Sequence, residues 1–271
     1  MKSILLHVGT GTAFEARLQA ALDIARAFDS HITCLQSINF EFAAPGDFYG
    51  AVAAEMVPVL REEARELREK LERRLEREDV RWSWIEELGD SRANLLEFAT
   101  LSDLVVVGTQ RPDGLGGGPS PIAASVAIHS RTPVLAVPPS VSNINLGAPV
   151  LVAWNGTAES SRALRAARPM LAKSGAVYLA TVMTAKQRRR NELPSVDGAE
   201  YLSRHDIACE MVELPQGSEP VAEILLQAAR AREAGYIVSG AYGRSRLSEI
   251  VFGGVTHALL NNPPMPVLLA H

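Results

Sequence analysis

The sequence predicts an α/β protein with two tandem, doubly wound, open parallel sheets of five strands each. Continuous apolar runs such as 104–107 are typical of strands that are covered on both faces of a parallel sheet. Between these runs, apolar residues recur at helical spacing, as in 14–28. The same order of elements occurs twice within the 271 residues. Two copies of one α/β unit are therefore the simplest account of the chain.

The first half alternates strands with helices, beginning with a strand at 4–8. Further strands are predicted at 32–38, 82–85, 104–107 and 132–137. Residues 39–58 contain Pro45, Gly46 and Pro58 and are predicted to form an irregular loop before a helix at 60–75. Asp90 or Ser91 is predicted to cap the next helix, which runs to about residue 100.

The second half repeats this order. Its strands are predicted at 150–154, 176–183, 209–214, 236–239 and 265–269, and residues 217–219 match 89–91 as the start of a helix. The intervening segment is rich in Pro, Ser and Asn, which suits an exposed connection. We therefore predict one domain at 1–139, a linker at 140–148 and a second domain at 149–271.

Composition excludes several classes of function. The chain is 47% hydrophobic and 21% charged, with a formal net charge of −4, so it has no basic stripe that would indicate a nucleic-acid partner. No apolar run reaches the length of a membrane span. The first apolar run is too short for a signal peptide and reads better as a strand. A cytoplasmic protein with no membrane partner is expected.

The two cysteines are predicted to be buried, unreactive thiols. Cys34 and Cys209 each fall inside a predicted strand with apolar neighbours. Neither belongs to a C-x-x-C pair, so the sequence predicts neither a disulfide nor a zinc site.

Glycine spacing near the C-terminus is the pattern that carries chemistry. The apolar strand 236–239 ends at Gly240, Gly243 follows, and nine residues later Gly253 and Gly254 lead into a predicted helix. Glycine lets the backbone turn sharply and approach a ligand closely, and N–H groups at a helix start attract phosphate. Each glycine alone is typical of a turn, whereas the full arrangement indicates a phosphate cradle.

This segment resembles the Gly-x2-Gly-x9-Gly-Ser/Thr nucleotide-binding signature of the universal stress protein family. The repeat of β1-α-β2-α-β3-α-β4-α-β5 is similar to a tandem pair of such domains and covers nearly the whole chain. The resemblance implies a Rossmann-like fold with strand order 3-2-1-4-5. It also implies that ATP binds at the switch point beyond the carboxyl ends of strands 1 and 4.

The resemblance places Val182 against the adenine and the turn at 153–157 beside the phosphates. Arg244 would add a phosphate contact, a solvent-exposed arginine being the alternative. The cofactor-binding residues implied in this way are Ala153, Trp154, Asn155, Val182, Ser239, Gly240, Gly243, Arg244, Gly253, Gly254, Val255 and Thr256.

Two positions depart from the family pattern. Gly254 stands where nucleotide binders carry Ser or Thr, so the backbone N–H is kept and a hydroxyl hydrogen bond is lost. Asn155 stands where they carry Asp, which removes a charge that would help to hold Mg²⁺. No metal ligands are predicted, and Mg²⁺ is left open as a companion of ATP.

The first half lacks the glycines of this signature. Counting back from the shared Pro-Val of strand 5, Ser120 and Pro121 replace Gly253 and Gly254, and Pro121 has no N–H to offer a phosphate. The glycine run 116–118 has no Walker-type lysine after it and is predicted to be a flexible loop. We therefore predict that the first half does not bind nucleotide in the family manner.

No catalytic residues are predicted. The six histidines show no metal-ligand spacing, and no G-x-S-x-G or H-E-x-x-H motif occurs. His257 either contacts the phosphate site or lies on the helix surface.

The sequence leaves three functions open. The first is a stress-related regulatory protein, not an enzyme, that binds ATP or another adenine nucleotide in its second half with at most slow hydrolysis. The second is a scaffold or carrier of another small ligand that acts through protein contacts. An adenylating ligase is the third, and it would need a glycine-rich loop after strand 1 that 155–160 does not supply. The resemblance also implies pairing of the two halves through their fifth strands, with a homodimer as a further option.

Overall fold

The computed structural model describes residues 1–9, 12–39, 48–110, 118–183, 194–241 and 254–271. The strands are β1 (Ser3–His7), β2 (His31–Ile38), β3 (Arg81–Leu88), β4 (Leu104–Gly108), β5 (Val134–Val137), β6 (Val150–Ala153), β7 (Val177–Met183), β8 (Glu210–Pro215), β9 (Tyr236–Gly240) and β10 (Val267–Ala270). The helices are α1 (Thr12–Phe28), α2 (Phe48–Leu75), α3 (Ser91–Phe98), α4 (Pro121–His129), α5 (Ala158–Leu171), α6 (Asp197–Ser203), α7 (Val221–Ala231) and α8 (Gly254–Leu260).

The strands form one ten-stranded sheet in the order β3-β2-β1-β4-β5-β10-β9-β6-β7-β8. Each half thus has the order 3-2-1-4-5, and the predicted fold class is confirmed. All pairs within a half are parallel, whereas β5 and β10 pair antiparallel with Leu135 opposite Leu268. The strands of the two halves therefore run in opposite directions. The carboxyl ends of the first five strands and those of the last five strands point to opposite sides of the molecule.

Two apolar layers cover the sheet, and each extends across both halves. Alternate residues of a strand point to opposite faces, so Ile4 and Leu6 pack with α1, α2, α5 and α6, while Leu5 packs with α3, α4, α7 and α8. The two fifth strands contribute to both layers, since Leu135 and Leu268 lie in the first and Val134 and Val267 in the second. The halves share one continuous core on each face.

Two predicted boundaries are wrong for reasons that involve proline. The loop predicted at 39–58 extends too far, because α2 already begins at Phe48 and contains Pro58. A proline removes one helical hydrogen bond, but 51–56 consists mostly of strong helix formers. The helix predicted to start at 217–219 begins instead at Val221, after Pro220. A residue before proline is forced out of the helical region, so the helix starts only beyond Pro220.

Helix capping follows the sequence more closely. Asp90 caps α3 as predicted, its side chain accepting a hydrogen bond from the Arg92 backbone N–H at 3.2 Å. The helix continues as a short 3₁₀ turn over Ala99–Leu101, which agrees with the predicted end near residue 100. None of the described helices combines the length and the apolar character needed to cross a bilayer.

The two thiols differ in their surroundings. Cys34 lies on β2 and is buried, and burial raises the pKa of its thiol to about 12. Cys209 lies one residue before β8 rather than within it and is only partly buried, and its pKa is also raised by burial. Both cysteines are free thiols. Full burial was predicted for both and is found for Cys34 alone.

Truncating a side chain at the junction of the halves tests the shared core. Leu268 is 1% exposed at the centre of the β5–β10 pair, and we expect Leu268→Ala to lower the free energy of unfolding by about 2 to 5 kcal/mol through the cavity it leaves. Leu101, which is 91% exposed, provides the control, since Leu101→Ala should change stability by less than about 0.5 kcal/mol. Urea unfolding followed by circular dichroism measures both, and equal midpoints would contradict the shared core.

Candidate functional site

The candidate site of the second half lies at the carboxyl ends of β6 and β9. These strands are neighbours in the sheet, with Val152 opposite Val238. The chain leaves β6 into α5 on one face, whereas α8 covers the other face. The crevice between the two connections is the place where open α/β sheets bind ligands.

Gly240, the last residue of β9, is fixed by the packing of α5. A Cβ on Gly240 would lie 2.7 Å from the carbonyl carbon of Glu159 and 2.8 Å from the backbone nitrogen of Ser160. These are backbone atoms at the start of a helix and cannot rotate away. Glycine is thus required here by the fold itself, and its presence brings the first turn of α5 directly against the end of β9.

Gly254, the first residue of α8, has the opposite environment. No described atom lies within 4 Å of the position that a Cβ on Gly254 would occupy. The residue is exposed, while the next two positions, Val255 and Thr256, are half-buried and buried. Among the described residues, the start of α8 therefore leaves room for a side chain at residue 254, such as the hydroxyl side chain that the family pattern places here.

Asn155 organises the turn that leads from β6 into α5. Its side-chain oxygen accepts hydrogen bonds from the Thr157 backbone N–H at 3.2 Å and from the Thr157 hydroxyl at 2.8 Å. Gly156 between them has φ of +72°, a value that favours glycine. Thr157 in turn caps α5 by accepting from the Ser160 N–H at 3.4 Å. Asn155 is exposed and serves as a turn residue as well as a ligand candidate.

The apolar candidates divide between the two faces of the sheet. Ala153 and Val182 are half-buried on the face that α7 and α8 cover. The Trp154 ring lies on the opposite face, where its Nε1 donates to the Ser195 carbonyl at 2.8 Å and Gly198 packs against it. The structure places Ala153 and Val182 on the same face of the sheet and the Trp154 ring on the opposite face.

Ser239 is 5% exposed on β9. Its hydroxyl donates to the Gly240 carbonyl at 3.1 Å. Gly243, Arg244 and Gly253 lie outside the described residues. The described part of the site thus consists of the ends of β6, β7 and β9 and the start of α8.

Sequence reasoning missed two ionisable residues at this site, Glu159 and His271. Glu159 is 8% exposed in the first turn of α5, and a hydrogen bond from its own backbone N–H holds the pKa of its carboxyl below the usual range, helped by the positive charge of Arg162. His271 Nδ1 lies 2.9 Å from the Ala241 carbonyl oxygen. The available signal for Glu159 is an acidic residue two positions after Thr157, a residue type that often caps helices.

The first turn of α5, beside the end of β9, therefore carries an acidic residue. No cluster of three or more His, Cys, Asp or Glu that could hold a metal ion occurs among the described residues.

His257 lies at the boundary between the two halves. It is half-buried on α8, and its Nε2 is 3.8 Å from where a Cβ on Gly118 of the first half would be. Gly118 has φ of +121° and comes two residues before Ser120, whose hydroxyl caps α4 by accepting from the Ala123 N–H at 3.4 Å. The start of α4 is thus satisfied by the Ser120 side chain and by Pro121, which has no N–H.

Comparisons with known proteins agree with this architecture. The sequence model of the Universal stress protein family matches residues 1–138 and 148–271. The chain belongs to this family. The resemblance inferred from the glycine spacing and from the repeat is therefore confirmed for both halves.

Solved structures show the same tandem arrangement. A universal stress protein from Archaeoglobus fulgidus DSM 4304 superimposes with a TM-score of 0.76 at 16% identity, covering 99% of this chain and 97% of that one. A functionally unknown protein from Pseudomonas aeruginosa PAO1 gives a TM-score of 0.61 at 18% identity, covering 99% and 92%. No curated protein matches the chain. At these identities the likeness shows the fold.

The two site glycines should respond differently to substitution. We expect Gly240→Ala to lower the free energy of unfolding by about 1 to 3 kcal/mol, because the added methyl group would overlap the backbone of α5. Gly254→Ala should change it by less than about 0.5 kcal/mol, because its methyl group would meet open space. Urea titration of the two variants gives the comparison. Equal stability of both would show that α5 does not press on β9 as described.

Proposed function

We propose that the second half binds ATP or a related adenine nucleotide as a regulatory ligand, without catalysing its turnover. The observation that carries this proposal is Gly254 at the first residue of α8, where a Cβ would meet no described atom within 4 Å, in a universal stress protein domain whose strands β6 and β9 are neighbours. The sequence between β9 and α8 keeps the Gly-x2-Gly-x9-Gly spacing intact.

The described side chains suit the parts of such a ligand. Ala153 and Val182 offer an apolar surface of the kind that adenine packs against. The backbone at the start of α8 offers N–H groups to the phosphates, and Arg244 follows Gly243 closely enough in sequence to reach the same groups.

A non-catalytic role is supported by the protonation behaviour of the site. A general base works best with a pKa near the working pH, and the hydrogen bonds to Glu159 shift its pKa the other way. Asn155 carries no negative charge and is engaged with Thr157. Any hydrolysis would be slow and incidental to binding.

A second candidate is a scaffold, or a carrier of another small ligand, that acts through protein contacts. The Glu159 carboxylate favours it, because an anion at this position repels phosphates in the absence of a shared cation. The absence of a hydroxyl at Gly254 points the same way. The two candidates differ in whether the purified protein retains a nucleotide.

The first experiment is mass spectrometry of the small molecules released when the purified protein is denatured, followed by calorimetric titration with ATP with and without Mg²⁺. We expect adenine nucleotide to be recovered and ATP to bind in the micromolar range. Gly243→Val should abolish binding, because its side chain would intrude on the ligand path. Gly217→Val is the matched control, since a Cβ there meets no described atom within 4 Å and the residue lies outside the proposed site.

Recovery of no nucleotide, together with no heat from ATP, would overturn the proposal and leave the scaffold as the better account. If Gly243→Val binds ATP with unchanged affinity, the assignment of the site to the Gly240–Gly254 segment is wrong.

Restoring the family hydroxyl provides a gain-of-function test. Gly254→Ser places a hydroxyl at the open start of α8, where the structure has room for it. One added hydrogen bond is worth about 0.5 to 1.5 kcal/mol, so we expect ATP affinity to rise roughly twofold to tenfold. Gly254→Ala is the control and should bind like the native protein. If the serine and alanine variants bind ATP equally, the phosphates do not lie at residue 254.

A further inference from the structure

The first half contains a buried arginine at its own switch point. Arg17 lies on α1 and is 8% exposed, and its Nε donates to the His7 carbonyl at 2.7 Å. This carbonyl is the last of β1. The guanidinium therefore lies beside the end of a central strand, at the position in the fold where the second half has its candidate ligand site.

Two glycines make room for the far end of this guanidinium. Gly9 follows β1 and Gly108 ends β4. A Cβ on Gly108 would lie 2.7 Å from Nη1 of Arg17, and a Cβ on Gly9 would collide with Nη2. The two terminal nitrogens are thus inserted between the carboxyl ends of neighbouring strands, which only residues without side chains permit.

The charge of Arg17 has no counter-charge among the described residues. No described carboxylate forms a salt bridge with the guanidinium, and the centroid of the Phe14 ring lies 5.2 Å from Cζ. Burial lowers the pKa of Arg17 to about 10, so the group still carries its charge at neutral pH. An unpaired cation in a buried position is costly unless an anion approaches it.

The nearest ionisable neighbour does not supply that anion. His7 precedes Gly9 on the same strand end, and burial together with the charge of Arg17 lowers the pKa of its imidazole to about 3. His7 is therefore neutral near pH 7. The described surroundings of Arg17 consist of a neutral imidazole, glycine backbone and an aromatic ring, and they leave the local field positive.

The equivalent position in the second half is different. The residue of the second half that corresponds to Arg17 is Ala163. Ile4 on β1 pairs with Leu104 on β4, and Val150 on β6 pairs in the same way with Tyr236 on β9. Arg17 comes thirteen residues after Ile4, and Ala163 comes thirteen residues after Val150. Ala163 is 1% exposed and uncharged, and the atoms next to Gly240 are the backbone of Glu159 and Ser160 and the Cβ of Glu159. The guanidinium that lies beside Gly9 and Gly108 thus has no counterpart at the corresponding place of the second half.

We propose that the first half binds a small oxyanion, of the phosphate class, on the guanidinium of Arg17 between Gly9 and Gly108. Such an anion supplies the missing counter-charge, and a guanidinium matches the geometry of two phosphate oxygens. The anion is either free inorganic phosphate or the phosphate group of a nucleotide. This site is independent of the proposed nucleotide site in the second half.

Thermal unfolding of the full chain in sodium phosphate and in sodium chloride of equal ionic strength tests the proposal. We expect phosphate to raise the Tm of the native protein by about 2 to 5 °C. Arg17→Met should lose this shift, because methionine fills similar space without the charge. Arg17→Met should also fold, because replacing a buried unpaired charge by an apolar side chain is often neutral or stabilising.

A surface control separates this site from general screening. Arg131 is exposed in the same half, and Arg131→Met should keep the full phosphate shift. Arg17→Lys keeps the charge but loses the forked geometry, so it should retain only part of the shift. An equal shift in Arg17→Met and in the native protein, or no shift in the native protein, would overturn the proposal.

ATP distinguishes the two sources of the anion. Calorimetry of the native protein should give a second ATP equivalent that Arg17→Met removes if the site takes a nucleotide phosphate. It should give an unchanged number of equivalents if the site takes free phosphate. The phosphate shift should persist in Gly243→Val, so failure of the nucleotide proposal and failure of this one are seen separately.

Discussion

The antiparallel pair of β5 and β10 is the interaction on which the rest of the structure depends. Each half alone would end in an exposed fifth strand with unpaired backbone groups, which is a liability for any sheet. Pairing Leu135 with Leu268 satisfies these groups and lets both apolar layers pass from one half to the other without interruption. The sheet becomes a single body of ten strands. As a result, the fifth strand of each half lies at the centre of the sheet and not at its edge.

Within this shared frame the two halves have diverged at the same point of the fold. Gly108 and Gly240 both end a fourth strand and both allow a close approach, but the group that approaches is a guanidinium in the first half and the start of a helix with a carboxylate in the second. The fold requires the glycine in each case. The residue that packs against the glycine therefore decides the chemical character of this place in each half.

The fold could be predicted because its signals are local. An apolar run or a cap such as Asp90 depends on only a few neighbouring residues, and the repeat shows the same local signals twice. The two errors in helix limits lie at Pro58 and Pro220, where the effect of proline and the helix propensity of the neighbouring residues oppose each other. The residues of the site were harder to predict from the sequence. Glu159 and Arg17 matter because α5 and α1 press them against strands that are distant in sequence, and no periodicity encodes that contact. The spacing of Gly240 and Gly254 predicts a site at this end of the sheet but carries no information on the acidic residue beside it.

The outermost strands of the sheet bear on how copies of the chain can meet. β3 and β8 end the strand order, and their exposed positions include Arg81, Glu86, Glu87 and Glu213, with Pro215 at the end of β8. Charged side chains and proline on an outer strand oppose the addition of another strand. These side chains therefore disfavour the addition of a further strand at either outer strand of the sheet, although Leu88 on β3 and Met211 on β8 are also exposed.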